Sequence, residues 1–139
     1  MQTQVYLFFD GRTEEALDFY KKALGAEVEM LMRFKDAPQE AQAGCAPGSE
    51  NKIMHSCFKL GDQRVMASDG RNQGKPEFRG SSLTLAVKSE AVDRLFAALS
   101  DGGKVEMPLG KTFFSPKFGV VADKFGVTWM VLVEQAPPA

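Results

Sequence analysis

Part of the sequence of this chain occurs twice. The segment Glu15-Ala16-Leu17-Asp18 recurs as Glu90-Ala91-Val92-Asp93, 75 positions later. Val28-Glu29-Met30 recurs as Val105-Glu106-Met107, 77 positions later, so the second copy has gained two residues before this segment. A repeat of this length in a chain of 139 residues predicts two similar modules rather than one irregular fold. Binding sites tend to lie where such halves face each other, which makes the repeat a guide to function as well.

Composition narrows the class of protein. With 139 residues, 44% of them hydrophobic, the chain is long enough to bury one self-sufficient core, so we expect one domain spanning residues 1–139. Seventeen basic and eighteen acidic residues leave a formal charge of −1, without a basic run that tracks a phosphate backbone. Nucleic acid is therefore not an expected partner.

The sequence also bears on location and redox state. The first residues lack a basic and apolar leader, and no window approaches 18 uninterrupted apolar residues, so we expect a cytoplasmic protein with no membrane partner. Cys45 and Cys57 are the only cysteines and lie twelve positions apart, outside any Cys-x-x-Cys pattern. Both are predicted to be free thiols.

The first copy predicts one βαβββ module over residues 1–70. A β-branched and aromatic run at residues 4–9 predicts a strand that ends at the turn Asp10-Gly11. Thr13 is the predicted N-cap of a helix whose apolar residues recur every three or four positions, and Gly25 is its predicted C-cap. The sequence then predicts a strand at 27–34, a loop at 35–51, and a hairpin of strands at 53–60 and 64–68.

The second copy, over residues 81–135, predicts the same order after a polar linker at 71–80. A strand at 82–87 precedes a helix that Ser89 is predicted to cap and that Gly102-Gly103 ends. Further strands are predicted at 105–107, 118–122 and 127–133, with turns at 108–110 and 123–126. The fold class is therefore α+β, with two tandem βαβββ modules.

This arrangement resembles the vicinal oxygen chelate superfamily of glyoxalases, bleomycin-resistance proteins and dioxygenases, and within it the PhnB-like branch. The resemblance covers essentially the whole chain, and its most specific part is the run from Met107-Pro108-Leu109 to Asp123-Lys124-Phe125-Gly126-Val127-Thr128-Trp129-Met130. It implies a curved, cup-shaped mixed sheet with the helices outside. It also implies a homodimer, since many members of the superfamily form one.

In the superfamily's enzymes a divalent metal sits in the cup. Its ligands lie near the start of each module's first strand and on each module's last strand. Here those positions hold Gln4, then Met66 or Ser68, then Ser82, and finally Met130. Only Gln4 keeps a usable ligand, and its amide oxygen is a weak one. We therefore expect a degenerate metal site and no bound cofactor.

A rearranged metal site is the alternative. His55 is the only histidine of the chain, and Asp69 and Glu134 follow the last strands of the two modules. With Gln4, these residues are the candidate ligands of a divalent-metal-dependent lyase, isomerase or dioxygenase-like enzyme. The sequence does not decide between this enzyme and a metal-free protein that binds a small molecule.

Strand alternation predicts the lining of the cup. If Leu7 and Phe9 pack on the first helix, their neighbours point into the concavity, and Val28, Met30 and Met32 are predicted to share one face of the second strand. Such a lining suits a mostly apolar small molecule held by one or two hydrogen bonds, although the same side chains can instead fill a closed barrel. The predicted ligand-binding residues are Tyr6, Phe8, His55, Cys57, Ser82, Thr84 and Met130.

Two other patterns carry weaker hypotheses. Cys57 and His55 lie two apart on one strand, and a Cys-His pair can in principle form a thiolate nucleophile. Members of the PhnB-like branch are often labelled as demethylubiquinone methyltransferases. The sequence, however, has no Gly-rich nucleotide turn to hold S-adenosylmethionine, so we expect that label to be misleading.

Overall fold

A computed structural model of the protein describes residues 1–42, 47–70 and 75–134, with the backbone alone at 41 and 42. The chain divides into two compact units, Met1–Glu77 and Phe78–Ala139. Cys45 and the first part of the predicted linker lie outside the described residues, so the prediction that Cys45 is a free thiol stays a prediction.

The first unit contains one complete module. Its order is β1 (Val5–Phe8), α1 (Thr13–Leu24), β2 (Glu27–Arg33), a 3-10 helix (Phe34–Asp36), α2 (Gln39–Gln42), β3 (Ile53–Leu60) and β4 (Gln63–Ser68). The sheet has the strand order β1-β4-β3-β2, in which β1 runs parallel to β4 and the other pairs are antiparallel. The segment at 35–51, predicted as a loop, thus contains two short helical pieces.

The second unit repeats this plan. Its elements are β5 (Leu83–Val87), α3 (Ser89–Ser100), β6 (Lys104–Gly110), β7 (Phe118–Ala122) and β8 (Thr128–Val133). The strand order β5-β8-β7-β6, with β5 parallel to β8, matches that of the first sheet strand for strand. The predicted α+β fold of two tandem βαβββ modules, each with a mixed sheet, is confirmed. Among the described residues, no helix combines the length and apolar character needed to cross a membrane.

In the first module, the core lies between α1 and one face of the sheet. Tyr20 on α1 is fully buried and stacks on Phe58 of β3, with ring centroids 5.9 Å apart. Alternate strand residues pack on this side, including the buried Leu7, Val65 and Ala67. Because strand side chains alternate, the intervening residues project from the other face of the sheet.

The helix starts differ from the prediction. Thr13 and Ser89 are the first residues of their helices, and neither Arg12 nor Lys88 at the cap positions makes a side-chain cap bond. In the first module Asp69 supplies the missing acceptor, because its carboxylate binds the backbone N–H of Thr13 at 2.8 Å. The predicted C-cap is confirmed, since Gly25 adopts φ 70° and its N–H donates to Lys21.

A β-bulge in β2 changes which residues share a face. Val28 pairs with Phe58, but Met30 pairs with Cys57, the adjacent residue of β3. Neighbouring residues of β3 point to opposite faces, so Val28 lies on the α1 side and Met30 on the other side. The prediction that Val28 shares a face with Met30 and Met32 is therefore wrong.

The second strand of the second copy is longer than predicted. β6 continues through Pro108 to Gly110, where the sequence predicts a turn, and its pairing with β7 shifts register twice. Since β6 is an edge strand, Pro108 can lack its N–H without breaking a ladder on two sides.

Candidate ligand-binding face of the first module

Side chains from all four strands meet on the face of the first sheet that points away from α1. Residue pairing places Tyr6 beside Met66, Met66 beside Cys57, and Cys57 beside Met30, in one row across the sheet. We call this surface the open face. It comprises Tyr6, Phe8, Met30, Met32, His55, Cys57, Met66 and Ser68.

A hydrogen bond spans the open face. The Tyr6 hydroxyl lies 3.1 Å from Nδ1 of His55, although Tyr6 is on β1, His55 is on β3, and β4 runs between these strands. The two rings lie 5.7 Å apart between centroids, and the ring of Phe8 lies 4.9 Å from that of Tyr6. These three side chains form an aromatic cluster with one internal polar contact.

The open face keeps large apolar side chains in contact with solvent. Phe8 is 56% exposed, Met30 39% and Tyr6 37%, whereas Phe9 and Phe58 on the α1 side are fully buried. The aromatic residues of the open face therefore do not fill the core of the module. An exposed set of aromatic and thioether side chains is typical of a surface that binds a ligand.

Charged residues border the open face. Arg64 on β4 pairs in register with Lys59 on β3, and its Nε donates to Glu29 in the β2 bulge at 2.7 Å. This hydrogen bond lowers the pKa of the Glu29 carboxyl and raises the pKa of the Arg64 guanidinium. Glu29 and Arg64 thus neutralise each other within the protein. The apolar centre of the open face is therefore the part available to a ligand.

The structure does not support a Cys57–His55 nucleophile. Nδ1 of His55 is engaged by Tyr6 on another strand, and no hydrogen bond joins His55 to Cys57 in the described part of the chain. Residues two apart on a strand share a face but project side by side. Cys57 is a free, half-buried thiol, as predicted.

Asp69 is not a displaced metal ligand. The sequence leaves it as a carboxylate at the end of a strand, but the structure buries it to 1% exposure. Oδ1 accepts the backbone N–H groups of Gly11 and Thr13 at 2.9 and 2.8 Å, and Oδ2 accepts that of Ile53 at 2.6 Å. Both oxygens thus bind the backbone, and Asp69 holds the module together.

The remaining candidate ligands do not converge on a metal site of the family type. Gln4 is exposed ahead of β1, and Glu134 is exposed after β8. Within residues 1–42, 47–70 and 75–134, no group of three His, Cys, Asp or Glu side chains is placed to hold a metal ion. This set of donors does not fit a catalytic divalent metal, which needs about three such ligands.

The other predicted ligand-binding residues belong to the second module. Thr84 pairs with Met130, Met130 with Val120, and Val120 with Met107, in a row equivalent to the one on the first sheet. Ser82 is exposed and precedes β5. Of the seven predicted residues, the structure brings Tyr6, Phe8 and His55 into contact, places Cys57 in the same row as Tyr6, and pairs Thr84 with Met130.

Sequence reasoning missed the contribution of Met30 to the open face and that of Glu29 to its border. Met30 was assigned to the same face as Val28, and only the unpaired extra residue of the bulge separates them. Glu29, which that bulge turns towards Arg64, had no local signal in the sequence either. Both omissions come from one irregularity in β2.

Comparison with known proteins agrees with this fold. A family model described as 3-demethylubiquinone-9 3-methyltransferase matches residues 2–132. Protein YjdN of Escherichia coli (strain K12) is 34% identical to the chain over 147 residues, covering 99% of each. The crystal structure of PA1353 from Pseudomonas aeruginosa is 39% identical with a TM-score of 0.83, covering 98% of this chain and 99% of that one. A putative 3-demethylubiquinone-9 3-methyltransferase, PhnB protein, from Bacillus cereus is 30% identical with a TM-score of 0.77, covering 96% and 99%.

Proposed function

The chain belongs to the family described as 3-demethylubiquinone-9 3-methyltransferase, and we propose that it is a PhnB-like small-molecule-binding protein with a degenerate metal site. Its likeness to the PhnB protein of Bacillus cereus agrees with the PhnB-like resemblance of the sequence. The proposed ligand site is the open face of the first module.

One observation carries this proposal: the Tyr6–His55 hydrogen bond crosses an exposed aromatic surface at 3.1 Å. A side chain that serves only the core has no need of such a contact on the solvent side of its sheet. Beside it the exposed ring of Phe8 offers a stacking surface, and Met30 and Met66 offer adaptable thioethers. The proposed ligand is a planar, mostly apolar molecule that makes one or two hydrogen bonds.

The degenerate metal site is supported by the chemistry of the family positions. Met66 and Met130 stand where the family's enzymes carry ligands of a hard or borderline cation, and thioethers bind such cations poorly. The carboxylate of Asp69, which follows the last strand of the first module, is bound by three backbone N–H groups. Methyl transfer is likewise not part of the proposal, because the sequence lacks a Gly-rich turn for the methyl donor.

A second candidate function rests on one feature of His55. If Nδ1–H of His55 donates to the Tyr6 hydroxyl, Nε2 is unprotonated and can ligate, as in metalloproteins whose histidine ligand is oriented through its other ring nitrogen. This favours the alternative of a divalent-metal-dependent enzyme with a rearranged site. Elemental analysis of protein from metal-supplemented medium decides: a stoichiometric metal that His55→Ala or Gln4→Ala removes would replace the binding-protein proposal with the enzyme.

Binding measurements test the first proposal directly. Metal-stripped protein is titrated with a panel of planar aromatic phenols and carboxylates, and native mass spectrometry is used to find any molecule that copurifies. We expect Phe8→Ala to weaken binding of the tightest panel member by about threefold to tenfold, because a stacking ring is lost. S-adenosylmethionine is included, and tight binding of it would overturn the proposal.

Phe113→Ala is the matched control. Phe113 is fully exposed and Phe8 is 56% exposed, so both rings are accessible to a ligand. Phe113, however, belongs to the second module. Equal losses in the two variants would show that binding is non-specific and would contradict the proposed site.

We also propose that the protein forms a homodimer. Exposed apolar residues on the edge strand β6 support this, with Val105 at 43% and Met107 at 48% exposure. Sedimentation analysis tests it, and a monomer at micromolar concentration would refute it.

A further inference from the structure

We propose that the open face of the first module also binds a soft monovalent metal ion, Cu(I). Its ligands are the thiolate of Cys57 and the thioethers of Met30 and Met66. This site shares the position of Met66 with the divalent-metal site of the family, but it differs in its ion and in its other two ligands, Cys57 and Met30.

Strand pairing places the three sulfur side chains together. Cys57 on β3 pairs directly with Met66 on β4 and with Met30 on β2, so it is flanked by a methionine on each side. Paired side chains on one face of a sheet have Cβ atoms about 4.5–5.5 Å apart. Methionine has three rotatable bonds, so both thioethers can turn towards an ion held by the central sulfur.

The chemistry of these groups selects the ion. Thiolate and thioether sulfurs are soft ligands that favour Cu(I), whereas carboxylates and carbonyls suit hard divalent cations. On this face the three sulfurs stand in one row, and the carboxylate at its border, Glu29, is bound by Arg64. A soft ion therefore finds its preferred donors here, and a hard ion does not.

Access and charge are also suitable. Met30 is 39% exposed, while Cys57 and Met66 are half-buried, so an ion can reach the sulfurs from solvent and be partly shielded once bound. Arg64 lies on the strand next to Cys57, and its charge is balanced by Glu29, so it leaves no unpaired positive charge beside a bound cation. On binding, the thiol of Cys57 releases its proton to solvent as the copper–sulfur bond forms, with no change of oxidation state.

The test uses anaerobic titration of the full chain with Cu(I) in competition with bicinchoninate. A Cys45→Ser background leaves Cys57 as the only thiol, since the chain has two cysteines. We expect one Cu(I) per chain, weakened about 100-fold by Cys57→Ser and about tenfold by Met30→Leu or Met66→Leu. X-ray absorption should show copper bound to sulfur, with fewer sulfurs in the methionine variants.

Met54→Leu is the matched control. Met54 lies on β3 like Cys57, but three positions away, at a register shift where it pairs with no residue of β2 or β4. Its substitution should leave the affinity unchanged. Wild-type affinity in Cys57→Ser, or equal losses in Met54→Leu and Met30→Leu, would overturn the proposal.

Folding is checked by circular dichroism. If Cys57→Ser fails to fold, the double variant Met30→Leu/Met66→Leu decides, because leucine preserves side-chain volume and removes only the sulfur. Unchanged affinity in that variant would overturn the proposal. The Phe8→Ala and Phe113→Ala measurements with organic ligands are independent, so either proposal can fail without the other.

Discussion

The backbone N–H of Ile53 donates to the buried carboxylate of Asp69 at 2.6 Å, which ties the start of β3 to the residue that follows β4. The other carboxylate oxygen accepts the N–H groups of Gly11 and Thr13 at the start of α1. One side chain therefore fixes three segments that are far apart in the sequence.

Asp69→Ala should destabilise the protein strongly. It leaves three backbone N–H groups without their acceptor, and each buried donor left unsatisfied costs about 1–3 kcal/mol, so we expect a loss of roughly 3 kcal/mol or more. Urea unfolding measures it. Asp62→Ala, in the exposed β3–β4 turn, is the control and should change stability by less than about 0.5 kcal/mol. Equal stability of the two variants would contradict the role of Asp69.

In the second module, Asp123 and Trp129 should be energetically coupled. The indole Nε1 of Trp129 donates to Oδ2 of Asp123 at 2.9 Å, and both residues are buried. Oδ1 accepts the backbone N–H groups of Phe125 and Val127, which closes the β7–β8 turn. A double-mutant cycle of Asp123→Asn and Trp129→Phe should give a coupling energy of about 1 kcal/mol or more. A value near zero would show that the bond does not stabilise the fold.

The Tyr6–His55 contact should fix the tautomer of the imidazole. If the Tyr6 hydroxyl donates to Nδ1, neutral His55 carries its proton on Nε2, and two-dimensional ¹H–¹⁵N spectra of the ring distinguish the two nitrogens. We expect the Nε2–H form in the wild type and a mixture of tautomers in Tyr6→Phe. Phe8 contacts the Tyr6 ring but takes no part in the Tyr6–His55 hydrogen bond. Phe8→Leu should therefore leave the spectrum of His55 unchanged. The same spectrum in wild type and Tyr6→Phe would refute the donation.

Acid should weaken the pair of Glu14 and Arg33. The hydrogen bond from Arg33 lowers the pKa of the Glu14 carboxyl, with burial acting in the opposite direction. Because the folded-state pKa lies below the unfolded value of about 4.3, the stabilisation is complete above that pH and is lost as the pH falls through the folded-state pKa. Glu14 is half exposed, so the contribution should be only about 0.5 kcal/mol.

The measurement compares wild type with Glu14→Gln at pH 6 and pH 3. The difference in free energy of unfolding should be present at pH 6 and smaller at pH 3. Glu106→Gln, at an exposed position on β6, is the control. A difference that grows towards acid would have the wrong sign for this mechanism.

Substitution by alanine should have different effects on stability at two glycines near β6. At Gly103 a Cβ atom would overlap the carbonyl oxygen of Ala122, which forces the backbone to move. At Gly110 the nearest atom, the carbonyl oxygen of Pro108, lies 4.0 Å away. We expect Gly103→Ala to cost roughly 1–3 kcal/mol in urea unfolding and Gly110→Ala to be nearly neutral. Similar values for both variants would contradict the close packing at Gly103.

The topology could be predicted because the repeat fixes it. Once one module is identified as βαβββ, the second copy must follow the same strand order, and the two sheets do match. Local patterns also sufficed for Gly25, which ends α1, and for the hairpin of β3 and β4. These features depend on residues that are close together in the chain.

The remaining features depend on distant partners. The sequence predicts Thr13 as the N-cap of α1, but the backbone N–H of Thr13 donates to Asp69, 56 positions away. No local sequence pattern indicates this contact. Tyr6 and His55 are separated by 49 positions, so their contact follows only from strand order. Pro108 is typical of a turn because proline has no backbone N–H to donate. It is accommodated within β6 because β6 is an edge strand.

The bulge between Val28 and Met30 makes the charge at the border of the open face depend on the length of β2. Deleting Glu29, the extra residue, would return β2 to regular alternation and leave Val28 and Met30 with their present partners on β3. The deletion would remove only the carboxylate that binds Arg64, while the row of sulfur side chains kept its place. The length of one strand can therefore alter the charge at the edge of a binding surface without altering its centre.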